Sequence, residues 1–317
     1  VSGGSIGEGC EVDGRTLHYG EFYGVKDGPD TDARDLLLVW GNCQAEALRI
    51  VLSSSVDLPY RTVRVPPVHE LESADMPSVE RLVRRAAVIV TQPVRAGYRG
   101  LPIGGEDLEA MAPAATHVIW PVIRYGGLYP FQAIVRHPAS PAASPAAVPY
   151  HDLRTIVAVR DRRTRFAEWN IDVGPERLRA AARWSVEQLA ARERRHCDVA
   201  VSDALLGLGA DAAHTINHPG NPVLLTLGIR ILEKLGAGAP RLPERELLGN
   251  IRAPLQRSVV DALGLAGKAR DNWVVDGVPV SEEYVHERQM AWYVEHPEFI
   301  EAALDRYDEL IEILGLS

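Results

Sequence analysis

The 317-residue chain is 46% hydrophobic and 24% charged, the composition of a folded globular protein rather than a disordered or fibrous one. Its formal net charge of −9 argues against general nucleic-acid binding, and no apolar run approaches the ~20 residues that cross a bilayer. Cys10, Cys43 and Cys197 are too few and too scattered for a disulfide scaffold or a zinc cluster. In chain order, short alternations around Asp13-Gly14 and Tyr19-Gly20 predict an N-terminal β-hairpin extension over residues 1–35. The first residues carry no basic-then-apolar leader, so cytoplasmic residence is the default expectation.

Leu36 to Trp40 is a continuous apolar run, as expected for a strand buried on both faces. Gly41-Asn42-Cys43-Gln44 and a run of helix formers to Leu52 follow it. Tyr60 to Val65 and Ala87 to Thr91 read as further strands, with His117 to Ile123 as a fourth. Short helices at Ser78–Arg85 and Glu106–Met111 lie between them. This rhythm predicts an α/β fold with a doubly wound parallel sheet over residues 36–136. Four prolines between His137 and Tyr150 predict an extended linker, 137–150. Residues 151–317 read as a mostly helical part completing the core and the site. Its helices open at Pro175 and near Val223, the second capped by Gly236, and two more run over Ser281–Glu295 and Pro297–Leu314. A hairpin is expected around Asp276-Gly277.

In an open α/β sheet, ligands bind beyond the carboxyl ends of the strands. The first such loop places Cys43 near a helix N-terminus, where backbone N–H groups and the dipole are expected to lower a thiol pKa. Gly41 would allow close approach of a ligand, and Asn42 and Gln44 would bring amide donors for an oxyanion. A small cysteine packed under the helix is the competing interpretation. The third strand leads to Gln92, Arg95, Tyr98 and Arg99 on the same edge, where the arginines suit phosphate. Only Lys26, Lys234 and Lys268 of the 34 cationic residues are lysines, so the arginines also fit a GC-rich codon bias. The fourth strand leads to a glycine-rich aromatic loop containing Tyr125. Finally, Asp211-Ala212-Ala213-His214-Thr215-Ile216-Asn217-His218-Pro219 clusters polar groups ahead of an apolar helix. Asp211 could orient His214 as a base. His214 and His218 are four apart, but Pro219 disfavours the helix that a metal pair would need, so no metal is expected.

These four pieces, in this order, resemble the WcbI-like polysaccharide biosynthesis proteins, over about Leu36 to Gly236. The resemblance implies coenzyme A binding and acetyl transfer. It also implies a three-layer core akin to SGNH hydrolases and flavodoxin-like folds. In that wider group a serine nucleophile follows the first strand and a late Asp-x-x-His supplies the base. Cys43 stands where that serine would stand, and Asp211…His214 spells the late motif. The implied function is an acyl-coenzyme A-dependent O-acyltransferase acting on a sugar, glycan-like or other hydroxylated small molecule. Cys43 and His214 would carry the chemistry, with His218 as the competing base, and Gln92, Asn217, Tyr98 and Tyr125 would contact substrate or oxyanion. Arg95 and Arg99 would meet the coenzyme phosphates. A hydrolase using the same array, and a non-catalytic coenzyme A- or glycan-binding protein, are the alternatives.

Overall fold

Strand β1 (Asp35–Trp40) pairs in parallel with β2 (Tyr60–Thr62) on one side and β3 (Ala86–Thr91) on the other, and β3 pairs in parallel with β4 (Thr116–Ile119). The sheet order is therefore β2-β1-β3-β4. The computed structural model describes residues 13–25, 32–140, 143–145, 147–163, 165, 169 and 171–316. The alternating side chains of β1 explain why an all-apolar run is needed. Leu37 and Val39 join one core with Leu48 and Leu52 of α3 (Gln44–Ser53). Leu36, Leu38 and Trp40 join a second core with Val79 and Leu82 of α4 (Met76–Val83) and Leu108 of α5 (Gly105–Met111). Helices thus cover both faces of a parallel sheet, the expected three-layer α/β arrangement. The second and fourth strands end earlier than their apolar runs, before Pro66 and Pro121, which cannot donate to a ladder.

The N-terminal hairpin is not formed by the described residues. Asp13 instead caps α1 (Gly14–His18), accepting the Thr16 N–H at 2.9 Å, and α2 (Gly20–Tyr23) follows directly. The remainder of the predicted hairpin, residues 1–12 and 26–31, lies outside the described residues.

The first core continues into the second half of the chain. It takes in Leu153 and Ile156 of α6 (Leu153–Arg160), Leu178 and Leu189 of α7 (Pro175–His196), and Val223, Leu227 and Ile231 of α8 (Asn221–Lys234). Between them, β5 (Gln132–Ala133) pairs with β6 (His151–Asp152), and β7 (Ala213–Thr215) with β8 (His218–Pro219). Strand β9 (Ile251–Arg252) extends the predicted hairpin β10 (Asn272–Val275) and β11 (Val278–Ser281). The Asp276 and Gly277 φ angles of 48° and 83° give the type I′ pattern expected of Asp-Gly. Helices α9 (Arg257–Leu263), α10 (Glu282–Glu295) and α11 (Pro297–Leu314) complete the layer.

Candidate active site at the edge of the sheet

Cys43 occupies the N-cap position of α3, directly after β1. Its loop is fixed by three amides. Gln92 Oε1 accepts the Asn42 N–H at 2.9 Å, and Asn42 Oδ1 accepts the Gln44 N–H at 2.9 Å. Gln44 is fully buried. Its Nε2 donates to the carbonyls of Ile123 and Asn217 at 2.7 and 2.8 Å, and its Oε1 accepts from Gln92 Nε2 and the Ile123 N–H, both at 3.1 Å. A primary amide has two donor hydrogens and two acceptor sites, so Gln44 is saturated. Gln92 is also 1% exposed and bonded at both ends of its amide. Both glutamines therefore fasten the loop, and Gln44, with both amide hydrogens spent, is not the free oxyanion donor that its position predicts. Gly41 is likewise not a ligand cradle: a Cβ there would sit 2.5 Å from Gln92 Oε1, so the glycine admits that side chain. In the same loop, the side-chain nitrogen Nδ2 of Asn42 has no protein partner among the described residues.

The Cys43 thiol is pushed up, not down. Burial is the dominant cause, and hydrogen bonds from the backbone N–H groups of Cys43 and Gln44 oppose it. The helix-terminal donors predicted from sequence are present, but desolvation of the thiolate outweighs them.

The Asp211…His218 cluster folds as the β7–β8 hairpin. Asp211 lies exposed on a single 3-10 turn, and Ala213 is already extended (φ −158°, ψ 156°). The three-residue spacing to His214 therefore does not align the two side chains, and Asp211 is not the orienting carboxylate. Glu246 takes that place: its Oε1 lies 2.9 Å from His214 Nε2 and also accepts the Asn221 N–H at 3.4 Å. The His214 pKa is lowered by burial, with Glu246 opposing and the Arg252 and Arg270 charges reinforcing the shift.

His218 is held down to about 4, chiefly by burial, against a ring hydrogen bond to the Leu248 carbonyl. Its Nδ1 is buried without a partner. Tyr150 meets His218 edge-on at 6.4 Å and donates to Asn217 Oδ1 at 2.8 Å, with Thr215 Oγ1 at 2.9 Å. Burial raises the Tyr150 phenol, and Cys43 is close enough to add to the shift. The hairpin thus reaches the Cys43 loop through Asn217, and Tyr150 contacts both Asn217 and His218.

Other predicted residues lie elsewhere. Arg99, at a positive φ, donates to the His69 carbonyl, and Tyr98 packs at the margin of the second core. Tyr125 is buried in the first core, its phenol pushed up to about 12 by burial. Arg95 does line an open groove of about 1000 Å³, beside Gln92 and Pro93. Arg124, Arg192, Arg194, Arg195 and Arg306 line the same groove. Burial lowers the Arg124 and Arg192 pKa values, and Arg124 adds to the lowering at Arg192. Glu246, Tyr150 and these further arginines were not foreseen. The aromatic at the end of the proline-rich stretch was the one visible signal for Tyr150.

Among the described residues, His137, His296 and Glu298 have metal-ligand spacing. However, His137 Nδ1 accepts the N–H groups of Ala139 and Ser140 at 3.2 and 3.0 Å, so its Nε2 carries the proton. That nitrogen faces Glu298 at 2.9 Å as a donor and has no lone pair for a cation.

The model of the WcbI polysaccharide biosynthesis enzymes matches residues 36–240, which hold Cys43, Gln92, Tyr150 and both histidines. The chain belongs to the WcbI family. Its role is therefore enzymatic and biosynthetic. The solved structure of WcbI superposes with a TM-score of 0.76 at 18% identity, covering 89% of this chain and 99% of WcbI, which establishes the shared fold. That structure is described as the native protein without a disulfide bond between coenzyme A and one of its cysteines. Among curated proteins no sequence matches this chain. Among the described residues no helix is long and apolar enough to cross a membrane.

Proposed function

We propose that this WcbI-family protein is an acyl-coenzyme A-dependent O-acyltransferase acting on a hydroxylated acceptor such as a sugar. The observation that carries this reading is an arginine-lined groove that reaches the Cys43 loop through Gln92. Gln92 lines the groove and at the same time holds the Asn42 N–H, one residue from the cysteine. Guanidinium groups bind phosphates as bidentate forks, and coenzyme A carries its phosphates at one end and its thiol at the other. The groove would take the phosphates and present the thioester to Cys43. The mention of coenzyme A and a cysteine for the related WcbI structure points the same way.

In the reaction so drawn, Cys43 Sγ attacks the thioester carbonyl, the carbon–sulfur bond to the coenzyme breaks, and the proton of the Cys43 thiol passes to the departing coenzyme sulfur, which leaves as the thiol. An acceptor hydroxyl then attacks the acyl-cysteine, and the sulfur of Cys43 leaves. His214, oriented by Glu246 rather than Asp211, takes the hydroxyl proton. A base with its own orienting carboxylate is the arrangement this step needs. The developing oxyanion would meet the side-chain Nδ2 of Asn42, the uncommitted donor of the residue before Cys43. His218, neutral and against Tyr150, would position rather than titrate.

The test is intact-protein mass spectrometry after mixing with acetyl-coenzyme A, with calorimetry for coenzyme A binding. The wild type should gain one acetyl group on Cys43, and Cys43→Ala should gain none while still binding the coenzyme. His214→Ala should keep the acyl-enzyme but lower transfer by roughly a hundredfold or more. Absence of coenzyme A binding would sink the reading. Full-rate consumption of acetyl-coenzyme A without any acceptor would make the protein a hydrolase instead.

A further inference from the structure

A second cavity, of about 480 Å³, lies against β7, with Ala213 and His214 in its wall. His214 and Asn221 line it, and so do Arg252, Lys268 and Arg270. It shares no lining residue with the arginine groove. The hairpin ties it to the reactive loop, because Gln44, the residue after Cys43, donates to the Asn217 carbonyl. The cavity therefore borders, through His214, the hairpin that Gln44 holds, while the groove reaches the Cys43 loop through Gln92.

Its cations are arranged for a ligand. Arg252 and Arg270 are half-buried, and among the described residues neither has a carboxylate partner. Each is held instead through Nε by a main-chain carbonyl: Arg252 by Gly249 at 3.3 Å and Arg270 by Ala253 at 2.7 Å. Arg270 is further fixed by Tyr129, whose hydroxyl lies 3.4 Å from Nη2. A guanidinium anchored at Nε keeps terminal N–H groups free to form a fork on an oxyanion. Both charges reach His214, because both act on its titration. The cavity also holds acids. Glu246 is already engaged by His214 and the Asn221 N–H, and Asp211 and Glu244 are exposed. None of the three is paired with Arg252 or Arg270.

We infer that this cavity binds the acceptor, and that the acceptor carries an oxyanion, a phosphate or a carboxylate, which Arg252 and Arg270 hold while its hydroxyl meets His214. The word acceptor rests on the acyltransferase reading; the oxyanion site rests only on the cavity. An acidic sugar supplies the fork acceptor that no carboxylate of the cavity gives to Arg252 or Arg270, and a neutral glycan does not. The binding also has a kinetic sense. Fixing the acceptor by its charged end leaves the hydroxyl oriented toward the base, so binding energy is converted into position.

Calorimetry on the full chain saturated with coenzyme A tests the inference. Glucose 1-phosphate and glucuronate are the two oxyanion probes, inorganic phosphate the minimal one, and glucose the neutral control. At least one oxyanion probe should bind, and glucose should bind at least about tenfold more weakly. Arg252→Gln combined with Arg270→Gln should weaken that binding by about tenfold or more while leaving coenzyme A affinity unchanged. Lys268→Glu, at an exposed position, should weaken it several-fold and guards against a double variant that fails to fold. The inference is overturned if no probe binds, if glucose binds as well as its phosphate, or if binding survives these substitutions. It is also overturned if coenzyme A affinity falls in parallel, since the cavity would then belong to the cosubstrate. Loss of coenzyme A binding in the wild type would instead remove the acyltransferase reading and leave the oxyanion site to be judged by its arginine dependence.

Discussion

At the residue scale, Gln44 carries more of the site than its neighbour Cys43 discloses. Replacing it with leucine keeps most of the volume and removes four hydrogen bonds. The Ile123 N–H and the Ile123 and Asn217 carbonyls then lose this partner. Leaving such groups unsatisfied costs about 1–3 kcal/mol apiece, so Gln44→Leu should destabilise the fold by roughly 3 kcal/mol or more. Urea unfolding checks this, and a loss below about 1 kcal/mol would mean the amide network is not formed in solution. Cys43, Gln44 and Gln92 were legible as sheet-edge residues, because a strand–loop–helix pattern puts them there whatever their partners. Their roles were not legible. The partners of Gln44 lie 48 to 173 residues away in sequence, and only the folded chain shows that its amide is spent. The same holds for His214, whose carboxylate is 32 residues distant rather than three.

At the element scale, the join between the β7–β8 hairpin and α8 is the tightest backbone approach near the site. Gly220, the N-cap of α8, lies so close that a Cβ there would collide with the Asp211 carbonyl oxygen, a main-chain atom that cannot rotate away. Gly220→Ala should therefore shift the hairpin or the helix start, lowering stability by several times the ~1 kcal/mol of a simple glycine replacement. Gly236, at the other end of the same helix, has φ +67° and open space around a Cβ. Gly236→Ala should cost only about 1 kcal/mol, the strain of a left-handed backbone. Equal losses in thermal unfolding would contradict the close approach. Gly236 was readable as a stop signal from its place after an apolar stripe. Gly220 was not, because its constraint comes from a carbonyl nine residues earlier on another element. The Asp-Gly pairs make the same point. Asp276-Gly277 turns the hairpin that the sequence predicts, whereas Asp13-Gly14 opens a helix, because Thr16 supplies both an N–H and a hydroxyl to the Asp13 carboxylate. Local composition allows both outcomes, and the acceptor that finds a donor decides.

At the scale of the whole molecule, buried imidazoles set how stability depends on pH. His151 on β6, His286 on α10 and His218 in the site are each pushed from 6.5 down to about 4, with burial the first cause in all three. Weaker bonds oppose it, such as that of His151 to the Val135 backbone. Charging these rings inside the protein is unfavourable, so the folded chain refuses protons that the unfolded chain accepts. Between pH 6.5 and 4 the unfolded state therefore binds more protons than the folded state, and stability must rise with pH. The stabilisation is complete above the unfolded value of 6.5 and is lost as pH falls toward 4. Three such sites give a slope of up to about 4 kcal/mol per pH unit near pH 5. His214, lowered in the same direction, steepens the upper part of the window. Because the first core runs from β1 through α11, site and helical layer should lose structure together, in one transition. Urea midpoints at pH 7, 5.5 and 4.5 test both points, followed by tryptophan fluorescence and by far-ultraviolet circular dichroism. Coincident curves with a falling midpoint are expected. A midpoint that stays level from pH 6.5 to 4.5 would show that these histidines take up protons in the folded state, and so that the Cys43 site is far wetter than its packing indicates.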